Sequence, residues 1–410
     1  MTATPLVDGD TVYVQDMESD VFALDATTGT VRWRRLFHDG TPGPNGLALS
    51  GGLLVGSTDT TVFALDARSG VVRWTRRILG AHDSFVDVAP LVSGKLVYTG
   101  TTGYGPGTRG QIVALELSSG RVRWRFDTIR GPLSHPAIAG GGGIWETPTI
   151  ADGVLYAGVA NPLPWGGTKA FPNGAALDGP ALYTDALVAL DAQTGTLRWY
   201  RQITPRDIRD HDFQNPPVVA GGLIVGSGKS GVVIAFDRVS HTRVWTSPVG
   251  VHRNDRGALP RRVVPVCPGL LGGVETPLAV ASGRVFAPVV DLCYGENATG
   301  AAAQTFRHTD PAKGRGEVVA LDLATGTKLW RHRLPSPPFG CATAANDVVF
   351  VPTYDGSVRA LAAADGRTLW SAHAPARINA CPAVAGDTLV VAAGAPPGRY
   401  EVVAFRLRTG

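Results

Sequence analysis

One phrase recurs along this chain and restricts its fold more than any other feature. Asp-Ala-Thr-Thr-Gly-Thr-Val-Arg-Trp ends at Trp33, and Asp-Ala-Arg-Ser-Gly-Val-Val-Arg-Trp ends at Trp74. Variants end at Trp124, Trp199, Trp245, Trp330 and Trp370, and a further copy runs from Glu401 to Gly410 without reaching its tryptophan. Successive tryptophans lie 41, 50, 75, 46, 85 and 40 residues apart. A phrase repeated at such intervals predicts a radial array of small sheets, with function where the copies converge or differ.

Each copy carries the same signals. A short apolar strand follows a Pro or small residue (Thr4-Pro5-Leu6-Val7), and an Asp/Gly turn leads into a second strand, Thr11 to Val14. A third runs from Val21 to Leu24, Asp25 to Gly29 turn the chain, and Thr30 to Trp33 begin a fourth. Runs of β-branched and aromatic residues bounded by Gly, Asp and Ser are strand signals, and the Gly of each Thr-Gly or Ser-Gly pair suits a turn position with positive φ. The expected architecture is all-β: an eight-bladed β-propeller of four-stranded antiparallel blades with tryptophan-docking repeats. Residues 1–410 form one domain, with first strands near residues 4, 47, 88, 147, 216, 276, 342 and 381. The eighth blade is incomplete. Met1 already falls in a first strand, so the expectation is that an N-terminal closing segment precedes the given chain. The long intervals carry insertions around 160–182, 250–270 and 294–314, which are expected to shape a binding face.

Gly 52 and Pro 30 suit an all-β protein with many turns. A net charge of +4 without a basic run argues against nucleic-acid binding, and no apolar stretch reaches transmembrane length. No signal peptide is visible. The four cysteines pair sensibly. Cys267 and Cys293 flank the first two strands of the sixth blade. Cys341 and Cys381 hold the same repeat position in adjacent blades. Paired cysteines point to an oxidising, extracytoplasmic compartment; four buried free thiols are the alternative.

The chain departs most from plain repeat between Gly141 and Asp237. Trp145 follows a Gly run and precedes a first strand, where a flat ring can stack on a planar ligand. Asn161 sits between a strand end and Pro162. Asp210 and Asp212 are two apart, which in an extended segment puts both carboxylates on one side. Two carboxylates and an amide oxygen make an oxygen-donor set for a hard cation; the same residues also cap turns. His211, between the acids, is expected to be a solvated loop residue, and Tyr104 a packing residue.

This stretch resembles the quinoprotein alcohol dehydrogenases, eight-bladed enzymes that use pyrroloquinoline quinone. The pattern is carried by the Trp after the Gly run, by Gly158-Val-Ala-Asn161-Pro-Leu-Pro-Trp165, and by Thr204-Pro-Arg-Asp207-Ile-Arg-Asp210-His-Asp212. The resemblance implies Trp145 as one face of the quinone pocket, with Thr102 and Arg109 contacting the cofactor. It implies Asn161, Asp210 and Asp212 at a metal, either Ca²⁺ or a lanthanide. Asp210 is then the catalytic base, and Lys229 the basic residue that hydrogen-bonds the reactive quinone oxygens. A Cys267–Cys293 disulfide is implied too. The substrate would be an alcohol, polyol or sugar. The electron acceptor stays open, since no Cys-x-x-Cys-His for an attached haem is present.

Two positions depart from the family pattern. Gly105 stands where a metal-ligating Glu is expected, and Asp87 where a Thr is expected, which brings negative charge toward a cofactor with three carboxylates. A non-catalytic propeller acting as a binding or assembly scaffold, built on the same repeat, is therefore the competing expectation. An Asp210 turned onto Arg206 or Arg209 would favour it.

Overall fold

The repeated phrase builds a turn organised by its first residue. Asp25 Oδ1 accepts from the backbone N–H groups of Thr27 and Thr28, and Asp191 Oδ1 from those of Gln193 and Thr194. Such carboxylate-to-backbone bonds are what make Asp a turn residue. Four residues on, the backbone is left-handed, with φ of +72° at Gly29, +69° at Gly70 and +66° at Gly120. In three copies the arginine before the tryptophan then returns to the same Asp: Arg32, Arg73 and Arg198 lie 2.7 Å from Asp25, Asp66 and Asp191. These surface pairs fix turn shape more than they add stability.

The computed structural model describes residues 3–41, 43, 45–80, 84–105, 107–130, 140–174, 181–300, 310–394 and 400–407. Eight antiparallel meanders follow one another along them, seven of four strands and a last one of three. The first comprises Leu6–Asp8, Thr11–Gln15, Val21–Asp25 and Val31–Arg35. The last comprises Ala383–Ala385, Thr388–Gly394 and Tyr400–Arg406. First strands begin at Leu6, Ala48, Leu91, Thr149, Val218, Ala279, Thr343 and Ala383, one to three residues later than the sequence suggests. Residues 1–2, where the sequence places the start of the first strand, and 408–410, the end of the last repeat copy, lie outside the described residues.

The tryptophans reach from one sheet to the next. The indole N–H of Trp33 donates to Ala67 O (3.1 Å), Trp74 to Leu117 O (2.8 Å), Trp124 to Ala192 O (3.1 Å), Trp245 to Leu323 O (3.0 Å) and Trp330 to Ala363 O (3.0 Å). The turn glycine of the following copy lies beneath the ring: a Cβ on Gly70 would come within 2.5 Å of Trp33 Cε3, and one on Gly120 within 2.5 Å of Trp74 Cε3. That glycine thus serves a backbone with positive φ and a ring lying flat on it. The fifth copy departs from this. His241 takes the turn position at φ +58° and stacks on Trp199, centroids 4.5 Å apart.

Apolar clusters lie between successive sheets, as with Tyr13, Val21 and Ala23 of the first against Leu54, Phe63 and Leu65 of the second. Val390 of the last sheet packs against Val12 and Val14 of the first. Among the described residues the first and last sheets thus meet by side-chain packing and share no hydrogen-bonded strand pair.

The insertions gather on one side. Val264–Val266 pairs with Tyr294–Glu296, and Val264, Val266, Leu270 and Tyr294 pack with Ile208 and Trp165. Residues 175–180 and 301–309 of the expected insertions lie outside the described residues. Both disulfides are present: Cys267–Cys293 within the sixth sheet region and Cys341–Cys381 joining the seventh and eighth. No helix among the described residues is long and apolar enough to cross a membrane.

Candidate functional site

The first strands converge on a cavity of about 1470 Å³. Repeat geometry dictates much of its lining. Asp87, Trp145, Gln214, Glu275, Phe339 and Asn379 each stand four residues before the start of a first strand, and all six face this space. Thr102, Asn161, Asp210, Asp212 and Lys229 line it as well.

A glycine run brings Trp145 and Asn161 together. Gly142 N–H donates to Asn161 O (2.8 Å) and Ala160 N–H to Gly143 O (2.9 Å). A Cβ on Gly141 would come within 2.5 Å of Asn161 O, so side chains there would force the two segments apart.

The exit loop is wound around Asp207. Its carboxylate accepts from the N–H groups of Arg209 (2.9 Å) and His211 (2.8 Å), and Asp210 is thereby held at φ +60°. The segment is thus a tight loop at Asp210, not the extended run the spacing suggests, yet it still turns both carboxylates to one place. Asp212 Oδ1 accepts from Asn161 N (2.7 Å), and Asp210 Oδ1 accepts from Asn161 Nδ2 (2.6 Å). Lys229 Nζ lies 2.9 Å from Asp210 Oδ2 and 2.7 Å from Asp212 Oδ2.

Electrostatics follow from burial of many acids around one ammonium. Burial raises the Asp210 pKa, and the neighbouring Asp212 charge adds to this against the pull of Lys229. Burial pushes Glu275 up to about 8 and Asp207 up to about 6. Asp185 is fully buried with both carboxylate oxygens unpartnered, and its pKa is raised well above the usual range, chiefly by burial and then by Asp207 and Asp212. Burial alone would lower the Lys229 pKa; Asp210, Asp212 and Glu275 raise it instead.

Two expectations are corrected, those for Arg109 and His211. Arg109 does not line the cavity: its guanidinium turns to Asp127 (3.3 Å), because Thr108–Arg109 is a strand paired with Gly140–Gly141. His211 is buried, not solvated; its Nε2 lies 3.4 Å from Pro268 O, and burial lowers its pKa to about 4. Tyr104 is 62% exposed, though its ring meets Phe85 and Trp145. Neither arginine takes Asp210: Arg209 donates to the carbonyls of Asn254 and Gly257. Sequence reading also passed over Glu146 and Glu275, whose signal was their place just before a first strand.

Asp210 and Asp212 bring carboxylate oxygens together beside Asn161, which turns its Nδ2 to Asp210, and Glu275 Oε1 is a further buried oxygen without a hydrogen bond; carboxylate donors of this kind suit a hard cation. Trp145 and Lys229 suit a flat quinone with reactive oxygens. Gly105 has φ +143°, a conformation a Glu would adopt only with strain.

Comparisons with known proteins bear on the fold and the family. A family model, PQQ_2, described as outer membrane protein assembly factor BamB, matches residues 1–162, 170–266 and 270–410. A quinohemoprotein alcohol dehydrogenase of Comamonas testosteroni is 26% identical over 84% of this chain, and the chain spans about half (52%) of that relative's length. A europium-containing methanol dehydrogenase superposes with a TM-score of 0.78 at 20% identity, covering 96% of this chain and 82% of the other. BamB from Moraxella catarrhalis superposes with a TM-score of 0.63 at 19% identity, covering 95% and 91%. At such identities the superpositions speak for the fold alone. Matched over nearly its whole length, the chain belongs to the PQQ_2 family, a family of quinoprotein alcohol dehydrogenase-like propellers.

Proposed function

We propose that this protein is an oxidoreductase oxidising an alcohol, polyol or sugar with pyrroloquinoline quinone and a hard cation, Ca²⁺ or a lanthanide. The observation that carries the reading is the meeting of Asn161, Asp210, Asp212 and Lys229 on the wall of a cavity that Trp145 also lines. The eight sheets are read as eight blades of one propeller over residues 1–410. The two disulfides support an extracytoplasmic location.

Each residue then has a task. Asp210, whose pKa burial raises, is the base that receives the hydroxyl proton of the substrate. Asn161 Nδ2 donates to Asp210 Oδ1, which fixes the direction of that carboxylate. Lys229 holds positive charge where an oxyanion develops and keeps both acids oriented. Asn161 Oδ1 with Asp210 and Asp212 would hold the cation, and Trp145 would carry the ring of the cofactor. When bound, the quinone is the hydride acceptor and the cation polarises its carbonyl.

The test is a titration of pyrroloquinoline quinone with Ca²⁺ or La³⁺, followed by tryptophan fluorescence. Saturable, metal-dependent quenching that disappears in Asn161→Ala and Asp212→Ala is the expected result. No quenching with either metal would remove the reading. Gly105, Asp87 and the displaced Arg109 favour the second reading, a binding or assembly scaffold, which partner pull-downs would then address.

A further inference from the structure

Beside Trp145 the cavity wall forms a recess of a different character. The rings of Phe85, Tyr104 and Trp145 mark a nearly equilateral triangle, with centroids 6.3, 5.9 and 6.2 Å apart. The rings are mutually inclined by 56°, 66° and 77°, and all three residues line the cavity. Two carboxylates, Asp87 and Glu146, line the cavity with them. Asp87 is 3% exposed, and its Oδ1 has no hydrogen-bond partner.

These acids lack a counter-charge. The groups acting on Asp87 are Glu146 and Asp59, both negative, and Glu146 feels burial alone. Five acidic side chains line the cavity against two basic ones, Lys169 and Lys229. Lys229 is already held by Asp210 and Asp212. Burial holds protons on acids placed this way, and a positive ligand would let them ionise, so a recess with two of them suits something positive. A compact metal ion would need several converging oxygens, and the recess offers only the Asp87 and Glu146 carboxylates. Three aromatic rings instead suit a cation with an apolar shell, whose charge lies within the ~6 Å reach of each ring face.

We propose that Phe85, Tyr104 and Trp145, with Asp87 and Glu146, form a binding site for an organic ammonium group, of the trialkylammonium class. The rings desolvate the alkyl groups and the carboxylates supply the counter-charge. Under the dehydrogenase reading the group is the cationic end of the alcohol, on the side of Trp145 met by Phe85 and Tyr104. Under the scaffold reading it belongs to the ligand itself. The site depends on neither, so its test contains no quinone and no turnover.

The experiment is a titration of the full chain with choline and, in parallel, with its uncharged isostere 3,3-dimethylbutan-1-ol, read by tryptophan fluorescence and calorimetry. Choline is expected to bind saturably and the neutral isostere at least about tenfold more weakly. Asp87→Asn and Glu146→Gln should each weaken choline by about tenfold. Tyr104→Ala, a change at an exposed side chain that leaves folding intact, should weaken it about two- to fivefold. Equal binding of the two ligands, absence of choline binding, or binding untouched by Tyr104→Ala and Glu146→Gln together would overturn the proposal. Since quinone is absent, failure here leaves the quinone titration unaffected, and the reverse holds too.

Discussion

Lys229 Nζ lies 2.7 Å from Asp212 Oδ2, inside a wall that otherwise gathers negative charge. The ammonium neutralises the acids that the proposed cation site needs, and it lines the same cavity as Trp145. Its backbone is fixed by the same partner, since Lys229 N–H donates to Asp212 O at 2.9 Å.

Removing that charge should be costly. Lys229→Met leaves Asp210 and Asp212 buried without a counter-ion, a loss of about 3–5 kcal/mol. Millimolar Ca²⁺ or La³⁺ should recover part of it, because either ion can take over the neutralising role. Denaturant unfolding with and without metal measures both effects; unchanged stability in the variant would mean that the acids do not rely on the ammonium.

The turn glycines should differ in cost according to what lies over them. Gly120→Ala combines φ +66° with a Cβ 2.5 Å from the Trp74 ring, and should lose about 1–3 kcal/mol or more. Gly94→Ala has φ +59° but nothing within 4 Å, so only the backbone cost of about 1 kcal/mol applies. Equal thermal shifts in the two variants would deny the tryptophan contact its role.

Stability should fall with pH through Glu146. Burial raises its pKa from 4.5 to about 8 in the folded chain, so the folded state holds a proton that the unfolded state releases. Its stabilising contribution is complete below pH 4.5 and is lost as pH rises toward 8. Glu146→Gln removes this slope and should be the more stable protein at the upper end of that window. Parallel stability–pH curves for the two proteins would contradict the assignment.

The bridge between the last two sheets should matter for ring closure. Cys341 and Cys381 are 40 residues apart, and losing a bridge of that span releases chain entropy worth about 4 kcal/mol. The double variant Cys341→Ala/Cys381→Ala should unfold at correspondingly lower denaturant, and reduction of the wild type should reproduce it. A midpoint unmoved by both would show that packing alone holds those sheets.

What the sequence determined by itself was everything written in contiguous residues. The Asp-x-x-[Ser/Thr]-Gly turn is a local hydrogen-bond arrangement, so the copies announced their sheets, the last of which has three strands among the described residues. The equal repeat positions of Cys341 and Cys381 likewise announced their pairing. The tertiary structure decided what depends on how eight sheets converge. Only the ring placed Lys229 between Asp210 and Asp212, turned Arg109 onto Asp127, buried His211 against Pro268, and set Glu146 and Asp87 beside three rings. Those contacts join residues well separated along the chain, and their geometry comes from how the sheets and their connecting loops pack, which the repeated phrase does not contain.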